Sequence, residues 1–313
     1  MNVIISSLHE SGAGIRVFEL QAAAGATLPP YQAGAHIDVT LGNGLVRQYS
    51  LCCRQPSPTS YRIAVKHEPQ SRGGSDWLHR QAQQGATITI GAPRQAFALV
   101  ERADRHLLFA GGIGITPILS MAYALLARGE DFSLDYFVRD AAAVAFADEL
   151  ATLPLAAHVR IHAGLSPQQT AAAIGSALAA DGDVHVYACG PGPFMTAVTE
   201  LGTARFGAAA VHQESFAAPL PAAGDQPFVL RLRDGRELTV AADQTALACL
   251  QEAGVDVPCS CEVGVCGTCQ TAVLEGLPEH RDGFLSATEK ASGRWFMPCV
   301  SRAQGALLAI DLS

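Results

Sequence analysis

A multidomain chain of mixed α+β and α/β class is predicted: an antiparallel β-barrel first, a parallel α/β sheet of nucleotide-binding type second, and a small cysteine-centred domain last. Three observations predict it. Short alternating apolar runs fill residues 1–101, strands alternating with helical stretches fill 102–216, and five of the nine cysteines crowd between Cys259 and Cys299. With 313 residues, 49% of them apolar, the chain suits about two or three cores of ordinary size.

In the first part, residues 15–20, 35–40, 47–52, 61–66 and 86–90 alternate apolar with polar between Gly, Pro and Ser clusters, as half-buried antiparallel strands do. In the second, 105–110, 134–138 and 185–188 read as short buried strands, and 117–127 as a helix stopped by Gly129. Residues 217–225 are rich in Ala and Pro with little to bury and read as a linker. In 226–313, residues 227–232 and 237–240 form a hairpin turning at Asp234 and Gly235, followed by a helix near 246–253.

The net charge of −8 is spread as +2 over 1–101, −5 over 102–216, −1 over 217–225 and −4 over 226–313. That distribution argues against a nucleic-acid partner. No run of eighteen apolar residues and no basic leader is present, so neither a membrane span nor an export signal is expected, and the cytoplasm is the default location.

The cysteines carry the strongest chemical signal. Cys261, four residues, Cys266, two residues, Cys269, then 29 residues and Cys299 is the plant-type [2Fe-2S] spacing. Gly264 and Gly267 permit the repeated turns by which one loop presents three thiolates. A structural zinc site favours two CxxC pairs, and buried cysteines without metal predict no particular spacing. Cys259 would break the four-residue gap and is read as a non-ligand packed beside the cluster.

Four further segments suit anionic and planar cofactors. Arg47-Gln48-Tyr49-Ser50 ends a strand, offering a phosphate partner, a ring to pack on a flavin and a hydroxyl for its N5 edge. Arg72-Gly73-Gly74-Ser75 opens a short helical stretch over 76–83 and suits a phosphate. Gly111-Gly112-Ile113-Gly114-Ile115-Thr116-Pro117 lies between a strand and a helix, where a pyrophosphate can approach the backbone. Tyr187-Ala188-Cys189-Gly190-Pro191 again ends a strand, where Cys189 could set a nicotinamide against a flavin. Arg139 and Asp140 lean the nucleotide choice toward NADH, and Phe216 covers either the flavin or the root of the linker. Each segment alone has an ordinary structural reading, as an edge strand, a turn or a packing residue.

Taken in order, R-Q-Y-S, R-G-G-S, G-G-I-G-I-T-P, Y-A-C-G-P and C-x4-C-x2-C…C resemble the phthalate dioxygenase reductase family, which includes vanillate O-demethylase oxidoreductase subunits. The resemblance covers the whole chain. It implies an FMN-binding β-barrel domain over 1–101, an NADH-binding domain over 102–216, a linker over 217–225 and a β-grasp ferredoxin domain over 226–313. Carried over by position, Arg47, Gln48, Tyr49 and Ser50 would hold FMN, with Val65, Lys66 and His67 lining it, Gly73, Gly74 and Ser75 at its phosphate, Thr116 near its ring and Phe216 beside it. Gly111, Gly112, Gly114, Cys189, Gly190 and Pro191 would receive NADH. Ser50 and Cys189 are the expected catalytic residues, and Cys261, Cys266, Cys269 and Cys299 the cluster ligands. Gln48 departs from the family, which often carries a hydroxyl residue there.

The implied activity is NADH oxidation through FMN and the cluster to a terminal Rieske non-haem iron oxygenase, by a monomer. Rival readings are a reductase for a diiron monooxygenase or a cytochrome, and a non-catalytic redox sensor. Reductases for those other acceptors more often carry the ferredoxin at the N-terminus. An electron-transfer subunit of a dihydroorotate-type dehydrogenase would have a shorter final cysteine gap.

Overall fold

Alternation in the first third folds into seven antiparallel strands: β1 (Asn2–Glu10), β2 (Ile15–Ala22), β3 (Ala35–Thr40), β4 (Val46–Ser50), β5 (Ser60–Lys66), β6 (Thr87–Ile90) and β7 (Arg94–Gln95). They were located in a computed structural model that describes residues 1–54, 59–69, 73–216 and 224–313. Their order is β4-β3-β6-β1-β2-β5, with β7 beside β3. Just past β4, the Cys52 N–H donates to Arg62 O of β5 at 2.9 Å, so the two ends of the sheet meet. Val3, Ile5, Phe18, Leu20, Ile37, Val39, Tyr61 and Ile63 point inward at every second position and fill the barrel. Full burial of each such side chain contributes about 1.5–3 kcal/mol before entropy is counted. β1 escaped the sequence reading because a bulge between Ile5 and Ser7 and the polar run after it interrupt its alternation. Helix α1 (Gly74–Arg80) begins two residues before the expected 76–83.

The second part is a five-stranded parallel sheet of β8 (Arg105–Gly111), β9 (Phe132–Val138), β10 (Val159–Ala163), β11 (Val184–Cys189) and β12 (Val211–Glu214). Its order, β10-β9-β8-β11-β12, reverses direction between β8 and β11, and a crevice opens at the carboxyl ends of strands placed that way. Helices α2 (Ile115–Arg128), α3 (Ala147–Leu150), α4 (Pro167–Ala177) and α5 (Gly192–Phe206) connect the strands. Helix α4 was not anticipated, since its alanine-rich face gives little periodicity. Its signal was a capping box, in which Ser166 and Gln169 satisfy each other's backbone N–H, with a proline in the first turn.

Residues 1–216 form one compact unit. One core cluster joins barrel residues Ile15, Val17, Cys52 and Ala64 to Ile118, Leu119 and Met121 of α2. Arg62 of β5 also grips Glu149 of α3 at 3.0 Å through two bonds, lies over the Phe146 ring, and shares Glu149 with the Tyr123 hydroxyl.

Residues 217–313 form the second unit. Strands β13 (Phe228–Arg231), β14 (Glu237–Val240), β15 (Thr271–Glu275), β16 (Pro278–Glu279), β17 (Trp295–Phe296), β18 (Arg302–Ala303) and β19 (Leu307–Ile310) accompany helices α6 (Ala246–Glu252) and α7 (Ala287–Ser292). The main sheet runs β14-β13-β19-β15-β17, with β13 and β19 parallel and the other pairs antiparallel. Helix α6, capped by Thr245, buries Leu247 and Leu250 against Phe228, Leu230, Phe296 and Leu308, which is the packing of a β-grasp domain. Residues 217–223 of the expected linker lie outside the described residues. Asp225, the last residue of that stretch, has a buried side chain ion-paired with Arg281 and Arg302.

Candidate functional site

Strand β4 places its side chains through its register with β3, where Arg47 faces Val39, Gln48 faces Asp38, Tyr49 faces Ile37 and Ser50 faces His36. The Arg47 side chain lies across the start of α1, so closely that a Cβ on Gly74 would sit 2.8 Å from its Cγ and 3.0 Å from its Nε. Gly73, with φ of 86°, takes the left-handed turn that brings the helix start there. A guanidinium beside the first N–H groups of a helix is a donor set for a phosphate. Arg72 lies outside the described residues.

Neighbouring contacts fix this corner. The Ser75 hydroxyl accepts from the Glu68 N–H at 3.1 Å, His67 Nε2 lies 3.2 Å from Asp76 Oδ1, and His79 Nε2 lies 2.8 Å from the carbonyl of buried Val65. Lys66 is exposed and pairs with Glu68 at 3.5 Å. Gln48 donates to Asp38, which also receives Arg94 at 2.6 Å, so its amide braces the sheet. Buried His36 is held neutral, its pKa pushed down to about 4 by burial and then by Arg94.

The barrel meets the parallel sheet at Ser50. Its hydroxyl lies 3.4 Å from Glu214 Oε2, and both residues are buried. Glu214 ends β12 directly opposite Cys189, the last residue of β11. Burial pushes the Glu214 carboxyl up to about 8 against the opposing pull of the Ser50 hydrogen bond, and burial followed by Glu214 pushes the Cys189 thiol well above its ordinary value. At neutral pH both groups carry their protons, and Glu214 can donate a hydrogen bond. The sequence reading missed Glu214, whose one signal was an acid placed at the carboxyl end of a parallel strand.

The glycine turn of Gly111, Gly112 and Gly114 sits on the same crevice, in contact with β5 of the barrel. A Cβ on Gly114 would fall 2.1 Å from Cys189 O, and one on Gly111 would fall 2.8 Å from Pro191 Cδ. A Cβ on Gly190 would fall 2.6 Å from the Phe194 ring. The two strand ends therefore approach backbone to backbone, and the Ile115 N–H at the start of α2 donates back into the glycine turn. Thr116 is buried and its hydroxyl donates to Ile113 O at 3.1 Å, which stiffens the turn. At the end of β9, Asp140 accepts from the Ala143 N–H at 3.1 Å and Arg139 is exposed. Phe216 is 44% exposed.

In the second unit, Cys261, Cys266, Cys269 and Cys299 are all buried. Among the described residues no three metal-ligating side chains converge on one ion. The four thiols instead form two pairs: Cys269 and Cys299 are 3.3 Å apart, and Cys261 hydrogen-bonds Cys266. Two pairs suit two irons, each taking two thiolates. Backbone N–H groups already aim at the sulfurs, from Val263 and Val265 to Cys261 and from Thr268 to Cys266, at 3.4 to 3.5 Å. Gly264 (φ 78°) and Gly267 (φ 75°) make the turns, and a Cβ on Gly267 would strike the Phe284 ring at 2.3 Å. This donor set fits a [2Fe-2S] cluster, whose negative charge those N–H groups would stabilise. Cys259 packs against the core cluster that includes Cys269 and Cys299 and receives Gln251 Nε2 at 3.5 Å.

The 2Fe-2S iron-sulfur cluster binding domain family matches residues 231–304. The chain is 45% identical to vanillate O-demethylase oxidoreductase of Pseudomonas sp. strain HR199, over 100% of both chains. It is 40% identical to the heme-dependent oxidative N-demethylase beta subunit of Ectopseudomonas mendocina strain ymp, over 100% of this chain and 99% of that one. Among solved structures it is similar to phthalate dioxygenase reductase, described as a modular structure for electron transfer from pyridine nucleotides to [2Fe-2S]. That match has a TM-score of 0.73 and 39% identity, covering 100% of this chain and 98% of the other.

Proposed function

Because this chain belongs to the phthalate dioxygenase reductase family, we propose that it oxidises NADH as the reductase component of an oxygenase system whose terminal partner is a Rieske non-haem iron oxygenase. It is an oxidoreductase of flavin and iron-sulfur type, with FMN and a [2Fe-2S] cluster as its resident groups. The observation that carries the reading is the meeting of Ser50 from the barrel with Glu214 and Cys189 from the nucleotide sheet at one buried point.

Bound FMN and cluster would supply the change from two-electron to one-electron chemistry. The chain's own residues do the positioning. Arg47, Gly73, Gly74 and Ser75 hold the flavin phosphate, Tyr49 and Val65 to His67 line the flavin, and Phe216 covers it. Gly111, Gly112, Gly114, Gly190 and Pro191 bring backbone N–H groups to the NADH pyrophosphate. Ser50 and Cys189 flank the site of hydride transfer, where Glu214 accepts the hydrogen bond of the Ser50 hydroxyl and, protonated at neutral pH, has its own proton to offer the bound ring. Burial of all three excludes water from the reacting atoms. Cys261, Cys266, Cys269 and Cys299 would hold the cluster.

The domain boundaries of the reading are 1–101, 102–216 and 226–313, in a monomer. Nine cysteines with no disulfide among them suit a reducing compartment such as the cytoplasm. No described helix is long and apolar enough to cross a membrane. Similarity to a heme-dependent N-demethylase subunit favours, as a second reading, an acceptor other than a Rieske centre.

The test mixes the purified holoprotein anaerobically with NADH and then with a Rieske oxygenase. Bleaching of flavin and cluster absorption followed by oxygenase reduction is expected. Bleaching with electrons passed only to a diiron or haem protein favours the second reading, and no bleaching by NADH refutes both.

A further inference from the structure

A buried carboxylate lies against the cysteine loop, and no ligand role accounts for it. Among the described residues of the second unit, Asp282 is the one buried acidic residue, and none of its side chain is exposed. The chain between β16 and α7 carries it to the segments that hold the iron ligands. Its backbone packs on Gly264, where an added Cβ would fall 3.1 Å from Asp282 Cα and 3.3 Å from its Cβ, and the Gly283 N–H donates to Gly264 O at 3.0 Å. Gly264 lies between Cys261 and Cys266, and its own N–H faces the Cys299 sulfur. The Ser301 hydroxyl, two residues past Cys299, donates to Asp282 Oδ1 at 3.4 Å, and the Leu285 N–H donates to Oδ2 at 2.8 Å.

The basic side chains around it compensate its charge incompletely. Lys290 of α7 lies 3.9 Å from Oδ2, but its ammonium donates to the Asp282 carbonyl and its side chain stays 32% exposed. His280 Nδ1 lies 3.4 Å from Oδ1, outside hydrogen-bond geometry, and neither of its ring nitrogens has a hydrogen-bond partner. The Arg281 side chain is taken up by Asp225 and Glu279. Water and salt screen a part-exposed ammonium, whereas a buried carboxylate is screened much less. The field at the cysteine loop from this corner is therefore negative.

We propose that Asp282 sets the reduction potential of the electron carrier, its buried negative charge beside Gly264 holding down the potential of the cluster that Cys261, Cys266, Cys269 and Cys299 bind. The proposal rests on the [2Fe-2S] reading above. In the step concerned one electron passes from the reduced flavin to the cluster, and no bond to Asp282 forms or breaks. The added negative charge meets a fixed charge of like sign where little water intervenes, so the reduced form is disfavoured. A lower potential gives the electron a steeper drop to a protein acceptor.

The test titrates holoprotein of the wild type, Asp282→Asn and Lys290→Met anaerobically with dithionite and redox mediators, counting the reduced cluster by electron paramagnetic resonance. Asp282→Asn keeps an acceptor for the Leu285 N–H and removes the charge. It should shift the cluster's one-electron equilibrium toward the reduced form about tenfold, a rise of about 59 mV in midpoint potential. Lys290→Met, which removes the compensating cation, should lower the potential, and by less. Added salt should shrink the Lys290→Met shift and leave the Asp282→Asn shift standing. A loosened loop gives another pattern, because losing N–H donors to the sulfurs lowers the potential in both variants and admitting water raises it in both. Should Asp282→Asn fail to hold its cluster, the lowered, salt-sensitive potential of Lys290→Met carries the comparison. A wild-type potential in either variant, or shifts of the same sign, overturns the proposal. Zinc in the wild type, or no resonance signal after its reduction, would instead sink the cluster reading.

Discussion

The hydroxyl of Ser50 and the carboxyl of Glu214 meet at 3.4 Å in a buried site although 164 positions separate them in the chain. One ends a barrel strand and the other the last strand of the parallel sheet. Their meeting brings the end of a barrel strand and the end of the parallel sheet to one buried point.

That contact has a pH signature. The Glu214 carboxyl titrates near 8 in the folded chain against an ordinary 4.5, so the folded chain keeps a proton that the unfolded chain releases between those values. Its contribution to stability is whole below about 4.5 and is lost as pH rises toward 8. Thermal unfolding of wild type should weaken across this window more than that of Glu214→Gln. Flavin reduction by NADH should fall as pH passes 8 in the wild type and stay flat in Glu214→Gln. Ser50→Ala should slow it about tenfold, the worth of one buried hydrogen bond.

Flavin retention should depend on Arg47 more than on any neighbour. Arg47→Ala removes a charge-assisted contact of about 1.5–3 kcal/mol, so flavin should dissociate on dilution about 10- to 100-fold more readily, as read by flavin fluorescence. Gly74→Ala should mimic it in part by pushing the Arg47 stem aside.

Gly114→Ala should separate the two strand ends that form the nucleotide crevice. Its φ of −60° is ordinary, so the obstacle is the backbone of Cys189, 2.1 Å from the new methyl. A rigid carbonyl cannot yield as a side chain does, and overpacking of this kind costs about 1–3 kcal/mol. The thermal midpoint of the first unit should drop and KM for NADH rise, with the cluster spectrum unaffected.

Cys266→Ser should abolish cluster absorption and electron delivery to a protein acceptor while leaving flavin reduction by NADH intact. Cys259→Ser, altering a sulfur bound only to Gln251 among the contacts seen, should keep both. Metal analysis giving two irons per wild-type chain supports the four-ligand set, and zinc in their place refutes it.

The cysteine loop was legible because its chemistry is local: three ligands, two glycine turns and the N–H donors lie within nine residues, so spacing alone describes the geometry. Strands β3 and β14 were read to the residue, because clean alternation between turn residues marks both ends. β1 and α4 were missed where a bulge and an alanine-rich face erased the period.

What the sequence by itself determined was the inventory: three element rhythms, the glycine turns at strand ends and the thiol spacing, each written in neighbouring residues. Tertiary structure alone decided that Glu214 meets Ser50, that Arg62 and Glu149 join barrel to sheet in one unit, and that Asp225 pairs with Arg281. Those are contacts between distant positions. Burial sets their strength by removing water from around the charge, and no local pattern records which side chains will share it.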